Sequence, residues 1–600
     1  RDFIDAGLIQ NIEVLHGPAS ALYGSSAIGG VVAVRTPDPS DIVRRGQFGG
    51  DFLGTWRDAD SSAHGQAIVA LNDDSFGLLA GYSWRNGEQV ESAAAVDPLD
   101  SRDYERKTAL LKFVADNRFG HTFRASVVRQ DGHTLSDLRS MLGAGRYRST
   151  TALEGDDQQR LDVVNLAYEF GSPGSWIDSG VLRSFWEQSD IKQFTLDERA
   201  AARTPESIDR LFSFEQEIRG IELNLWKNLS GENITHRVGI GIEHSDRRTV
   251  EYRDGLSTDM ATGERTNILL GEVFPLRDFP ISDTNETAAF IEDTISIGQN
   301  WTVIAGLRAD RYEITPHVDG MYLADYPDYE TTRLDDSDVS PKFGVIYSVT
   351  PGIDAYVQYS HGFRAPPYSD ANVSLELPLF GVRAVPNPDL RSESSDGFDV
   401  GLRWFGVRST ARISAFRTNY KDFIETKINV GFDPVSGFVL FQSQNIGNTT
   451  IEGFELGWNL RLGKTEQFAL DGSAYYAQGN NEVVAQPINS VGPAQAVIGF
   501  SWFSSDEHRQ LRLKGRFTKA YDRLDETAGE LFKPPGHAVF DLYVTQKIGG
   551  NAVVRAGLHN LTDRTYWIWS DVRGLMPDDP ILPYLAQAGR AASLSIQLVW

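Results

Sequence analysis

From about Gly46 to the end of the chain, apolar and polar side chains alternate in segments of roughly 8 to 12 residues, the period of a strand with one greasy face. The last segment shows it best: in SLSIQLVW, Leu594, Ile596, Leu598 and Trp600 share one face and Ser593, Ser595 and Gln597 the other. Leu511, Leu513 and Phe517 likewise oppose Arg512, Lys514 and Arg516, so three cations fall on one wall, which in a barrel is the lumen. Short connections lie near Asp73, Asn117, Pro173, Gly231, Gln299, Pro351, Gly406, Gly463, Asp506 and Gly549. Most carry Gly, Pro, Asn or Asp, as tight turns require. Ten short turns join twenty strands, and the first and last segments add one each. The pattern predicts an all-β fold, a 22-stranded antiparallel transmembrane β-barrel with short turns at one rim and eleven long loops at the other. A soluble propeller would repeat a motif from blade to blade, and no such repeat occurs.

Composition narrows the chemistry. Net charge is −25 with no block of Lys or Arg, which excludes a nucleic-acid footprint. The chain has no Cys, so neither a disulfide framework nor thiolate chemistry is available. No apolar run reaches the length of a membrane helix, and a mean hydropathy of −0.31 suits alternating strands. Nucleophile-elbow, HExxH and paired-Cys patterns are missing, so no catalysis and no catalytic cofactor are expected. The acidic runs at Asp335–Asp338 and Asp578–Asp579 are read as solvated loop acids in preference to calcium sites.

The stretch IEVLHGPASALYGSSAIGGVVAV, Ile12 to Val34, concentrates glycine and small residues as nowhere else. It resembles the late part of the plug domain of TonB-dependent outer-membrane receptors, where a segment of this form leads into the first barrel strand. TAAFIEDTISIGQNWTVIAGLRADRYE, IEGFELG and HNLTDRTYW are similar to successive barrel landmarks of that family. The division that follows is plug remnant at 1–42 and barrel at 43–600. The opening RDFIDAGLIQ has no signal-peptide pattern, and Arg1 reads as the start of a trimmed chain whose TonB box and apical plug loops lie elsewhere.

Phe363, Arg364, Ala365 and Pro366 resemble the FRAP box of haem and haemoglobin receptors, and Asn387, Pro388, Asp389 and Leu390 its companion NPNL box. YWIWSDVRGL, Tyr566 to Leu575, resembles the last loop of the same subfamily. These receptors place an axial histidine between the boxes, and here that interval holds none. The resemblance leaves open His133 in the third loop, His317 in the sixth, His361 just before FRAP, and Tyr368 as iron ligands. His16 stands where the family has an Arg that contacts barrel glutamates, for which Glu393, Glu452 and Glu455 are the candidates. An imidazole cannot reproduce a bidentate Arg fork, so a pH-sensitive latch or simple packing against the wall is expected there.

The resemblance implies an outer-membrane monomer set in lipid and lipopolysaccharide that takes up haem, free or from haemoglobin, powered by TonB, ExbB and ExbD. A ferric siderophore is the alternative cargo. A passive porin or adhesin is disfavoured by the strand count, since porins have 16 to 18 strands.

Overall fold

The computed structural model describes residues 6–600 apart from 95, 97, 98, 118, 144, 201–204, 328, 329, 464 and 528. Twenty-two long strands pair antiparallel in chain order, from Gln47–Arg57 to Ala591–Val599, and these two close the barrel with Asp51 opposite Val599 and Arg57 opposite Ser593. Beyond the last strand, Trp600 exchanges two backbone hydrogen bonds with Gly50. All ten short turns fall at the predicted places. The expected alternation of short and long connections fails twice: the fourth outer connection is only residues 200–205, and the first is only residues 58–61. It turns on Ser61 at φ +46°, with the Ser61 N–H bonded to Asp58 O.

The wall is uneven. Glu206–Ser230 and Ile234–Asp259 run 25 and 26 residues, whereas Gln495–Phe503 and Ala552–His559 run 9 and 8.

Each strand has one inner and one outer face. In Ser101–Asp116, Leu111 is exposed while Leu110 is fully buried and Lys112 reaches the plug. The same parity carries outward through Val127, Leu166, Leu182 and Ile221, which form part of an apolar band about nine residues deep. Above that band the outer positions turn charged. Lys107, Asp131, His133, Arg160, Asp190 and Lys192 line a shallow outer cavity of about 560 Å³. On the inner side, Arg512 meets Asp471 at 2.6 Å and Arg516 meets Asp541 at 3.5 Å, which puts the cations read from the sequence in the lumen.

The plug remnant is a hairpin, Asn11–His16 with Gly30–Arg35, plus two short helices, Ser20–Tyr23 and Pro39–Ile42. Leu8 and Val43 anchor it in an apolar cluster with Ile68, Ala70, Leu79 and Leu110 of the wall. At the outer rim the seventh loop, residues 365–392, and the eighth, residues 422–448, share one four-stranded sheet. Within it Val382–Ala384 pairs parallel with Val439–Phe441.

Candidate functional site: the plug seat and the vestibule above it

Ser20 is fully buried at the start of the first plug helix. Its hydroxyl accepts from the Phe363 N–H at 3.0 Å and lies 3.3 Å from the Phe363 carbonyl, to which it donates. The Ser26 N–H donates to that same carbonyl at 3.1 Å, and the Ala365 N–H donates to Ser25 Oγ at 3.3 Å. One strand over, Ser395 Oγ donates to the Ile28 carbonyl at 3.1 Å. Gly362 and Gly397 leave room for Pro18, since a Cβ on Gly397 would stand 2.6 Å from Pro18 Cδ. The FRAP residues are therefore a seat for the plug. Phe363 and Ala365 pack with Tyr312 and Ile314, Pro366 is buried, and Arg364 pairs with the fully buried Glu393 at 2.9 Å.

The NPDL residues tie loops together. The Asn387 amide donates to Ser443 O at 2.7 Å, and Asn387 Oδ1 accepts from the Asp389 N–H at 3.0 Å. Leu390 is buried, while Pro388 and Asp389 are exposed. YWIWSDVRGL also forms core: Trp569 packs at a tilt against Tyr521 with centroids 4.6 Å apart and donates to Asn489 O, and Trp567 donates to Leu582 O.

The four candidate ligands do not converge. His133 lies inside the strand His121–Asp137, not in a loop, and by parity it points to the outer surface, 2.8 Å from Asp156. His317 ends its strand on the same outer parity, 2.7 Å from Asp283. His361 sits where two strands part after the Lys342–Ser360 pair, 2.9 Å from Asp396 and 3.5 Å from Asp338. Tyr368 alone stands on the vestibule side, 5.1 Å from the Phe279 ring and stacked at 6.5 Å on Phe214. The strand period of two was enough to exclude His133, had its segment been read as strand to its end.

Parity also sorts the latch candidates. His16 Nδ1 lies 3.5 Å from Glu455 Oε1, an ion pair only when the imidazole is protonated. Glu393 is engaged by Arg364 and by the Ile424 N–H. Glu452 faces outward and pairs with Arg417, so it cannot meet the plug. The Asp335–Asp338 run alternates faces in the same way: Asp335 pairs outward with Arg311 and Asp336 accepts inward from Ser392. Among the described residues no cluster of three or more acidic or histidine side chains is placed to hold a metal ion.

The profile described as TonB dependent receptor-like, beta-barrel matches residues 97–561, and that of the TonB-dependent Receptor Plug Domain matches residues 1–31. The chain belongs to the TonB-dependent receptors. It is thus an outer-membrane receptor and not an enzyme. The receptor is 26% identical over 547 residues to hemoglobin-haptoglobin utilization protein B of Neisseria meningitidis serogroup C, covering 81% of this chain and 65% of that relative. It is 23% identical over 605 residues to the ferrienterobactin receptor of Escherichia coli K12, covering 93% and 76%. Its fold matches the Serratia marcescens hemophore receptor HasR with a TM-score of 0.75 at 15% identity, over 100% of this chain and 87% of that one. The chain spans less than two thirds of the haemoglobin-haptoglobin relative.

Sequence reasoning missed one plug contact made by charged groups. Asp38 is held by Lys112 and Arg124 from neighbouring strands, and inward parity on those strands was the signal available for it.

Proposed function

We propose that this receptor takes up haem, free or drawn from haemoglobin, across the outer membrane, with energy supplied through TonB, ExbB and ExbD. The observation that carries the reading is Tyr368. It is the one candidate ligand on the vestibule side, held between Phe214 and Phe279 beside the plug seat. Aromatic faces suit a flat macrocycle, and a tyrosine oxygen is an established haem-iron ligand. The haemoglobin-haptoglobin relative supports the same cargo. The receptor acts as a monomer, its charged outer belt at the level of lipopolysaccharide headgroups.

A ferric siderophore is the second reading. It is favoured by the outward placement of His133 and His317 and by the similarity to the ferrienterobactin receptor. Titration with haemin separates the two. Haem uptake predicts a Soret shift that Tyr368→Phe alters. No shift on adding haemin, with iron-limited growth restored by a siderophore instead, overturns it.

A further inference from the structure

We propose that Glu393 and Ser20 are positioning residues that transmit movement of the seventh and eighth outer loops to the plug. The proposal deepens the transport reading and does not depend on which cargo is carried. Its basis is an unbroken line of short contacts. The two loops move as one body, because they share a sheet and because Asn445 accepts from the Arg391 N–H and donates to Arg391 O, each at 2.9 Å.

That body is rooted at Glu393. Its carboxylate, fully buried, accepts from the Ile424 N–H at the start of the loop-eight strand at 2.7 Å and pairs with Arg364 at the end of the barrel strand Ile353–Arg364. The residue before Arg364 is Phe363, whose N–H and C=O are both engaged by Ser20 of the plug. Loop eight is therefore separated from the plug by one carboxylate, one guanidinium and one peptide unit. Tyr420, next to the loop on the adjacent strand, stands 3.9 Å from where a Cβ on Gly29 would be. A packed path of this kind, joined by hydrogen bonds and the Glu393–Arg364 ion pair, changes by discrete rearrangement and does not yield gradually. Breaking Ile424–Glu393 frees the carboxylate to shift Arg364, and with it the peptide on which Ser20 and Ser26 hang.

The test has two arms on cells producing the receptor. The first needs no ligand. Glu393→Gln and Ser20→Ala are each expected to speed amide exchange at Ser26 about tenfold, the loss expected for one hydrogen bond to a charged or buried partner. Ser20→Thr, which keeps a hydroxyl, is expected to restore protection. Unchanged Ser26 exchange in both variants overturns the proposal whatever the cargo.

The second arm uses haemin as probe. As the chain has no cysteine, Leu22→Cys gives a unique labelling site on the plug helix. Haemin is expected to change the maleimide labelling rate in the parent and not in Glu393→Gln, with haemin affinity retained. A parent that binds no haemin refutes the haem reading, and the first arm still decides the relay. Should Glu393→Gln fail to assemble, Ser20→Ala cuts the same path at the plug end. Equal haemin response in that variant overturns the proposal.

Discussion

Asp38 of the plug accepts one hydrogen bond from Lys112 Nζ at 2.9 Å and another from Arg124 at 2.7 Å, so a single carboxylate is clamped by two adjacent barrel strands. Lys112 is nearly buried, and its further acceptor among the described residues is Thr36 O. Asp38→Asn removes the counter-charge hydrogen-bonded to that ammonium. The expected cost to plug docking is about 1–3 kcal/mol. It is measured as a lower urea midpoint for protease access to the segment around Pro39, with barrel heat-modifiability unchanged.

Gly397 faces Pro18 across the seat with no space for a side chain. Gly397→Val is expected to let the barrel fold while the plug fails to seat. Single-channel recording should show increased conductance, and conductance equal to the parent would refute the seat.

His133 and His317 lie on the outer surface, each paired with an aspartate. Replacing either by Ala is expected to leave haemin binding and uptake at parental level and to move stability by no more than about 0.5 kcal/mol, as for surface positions generally. Haemin titration of both variants checks this. A lost Soret shift in either would return that histidine to the ligand set.

Asp319 caps the short helix Gly320–Asp325 in the sixth loop, accepting from the Tyr322 N–H at 2.9 Å and from Arg277 at 2.9 Å. Burial pushes its carboxyl up, but the Tyr322 N–H and the Arg277 guanidinium outweigh this and hold it below the usual carboxylate range. A depressed native value means the contribution is complete above the ordinary carboxylate pKa and is lost as pH falls through the lowered one. Protease protection of residues 318–327 is expected to fall below about pH 4. Asp319→Asn should have lower protection at pH 7 and little further loss on acidification.

The barrel was legible because a period of two with punctuating turns has few other solutions, and all ten turns and the lumenal cations at Arg512 and Arg516 followed from it. The site was less legible. FRAP and NPDL stand out in the chain, yet the FRAP peptide groups seat the plug and Asn387 ties loops, so their presence speaks to assembly more than to cargo. His133 was misplaced because its strand runs well past the membrane, and a charged outer face there looks like loop. Ser20 carried no signal at all: a buried hydroxyl bonded to a peptide more than three hundred residues away leaves no local pattern.

The unequal wall has a mechanical consequence. Strands of 25 and 26 residues exceed those of 8 and 9 by roughly 55 Å along the strand, at about 3.3 Å per residue. On the tall side the mouth is hydrogen-bonded sheet to its lip, and sheet of that kind resists bending. On the low side it is finished by residues 519–527, 529–536 and 560–590, where irregular chain carries most of the height. The rim is therefore built in two ways: paired backbone carries it on the tall flank, and loops packed around Tyr521, Trp569, Val572 and Leu582 carry it on the low one.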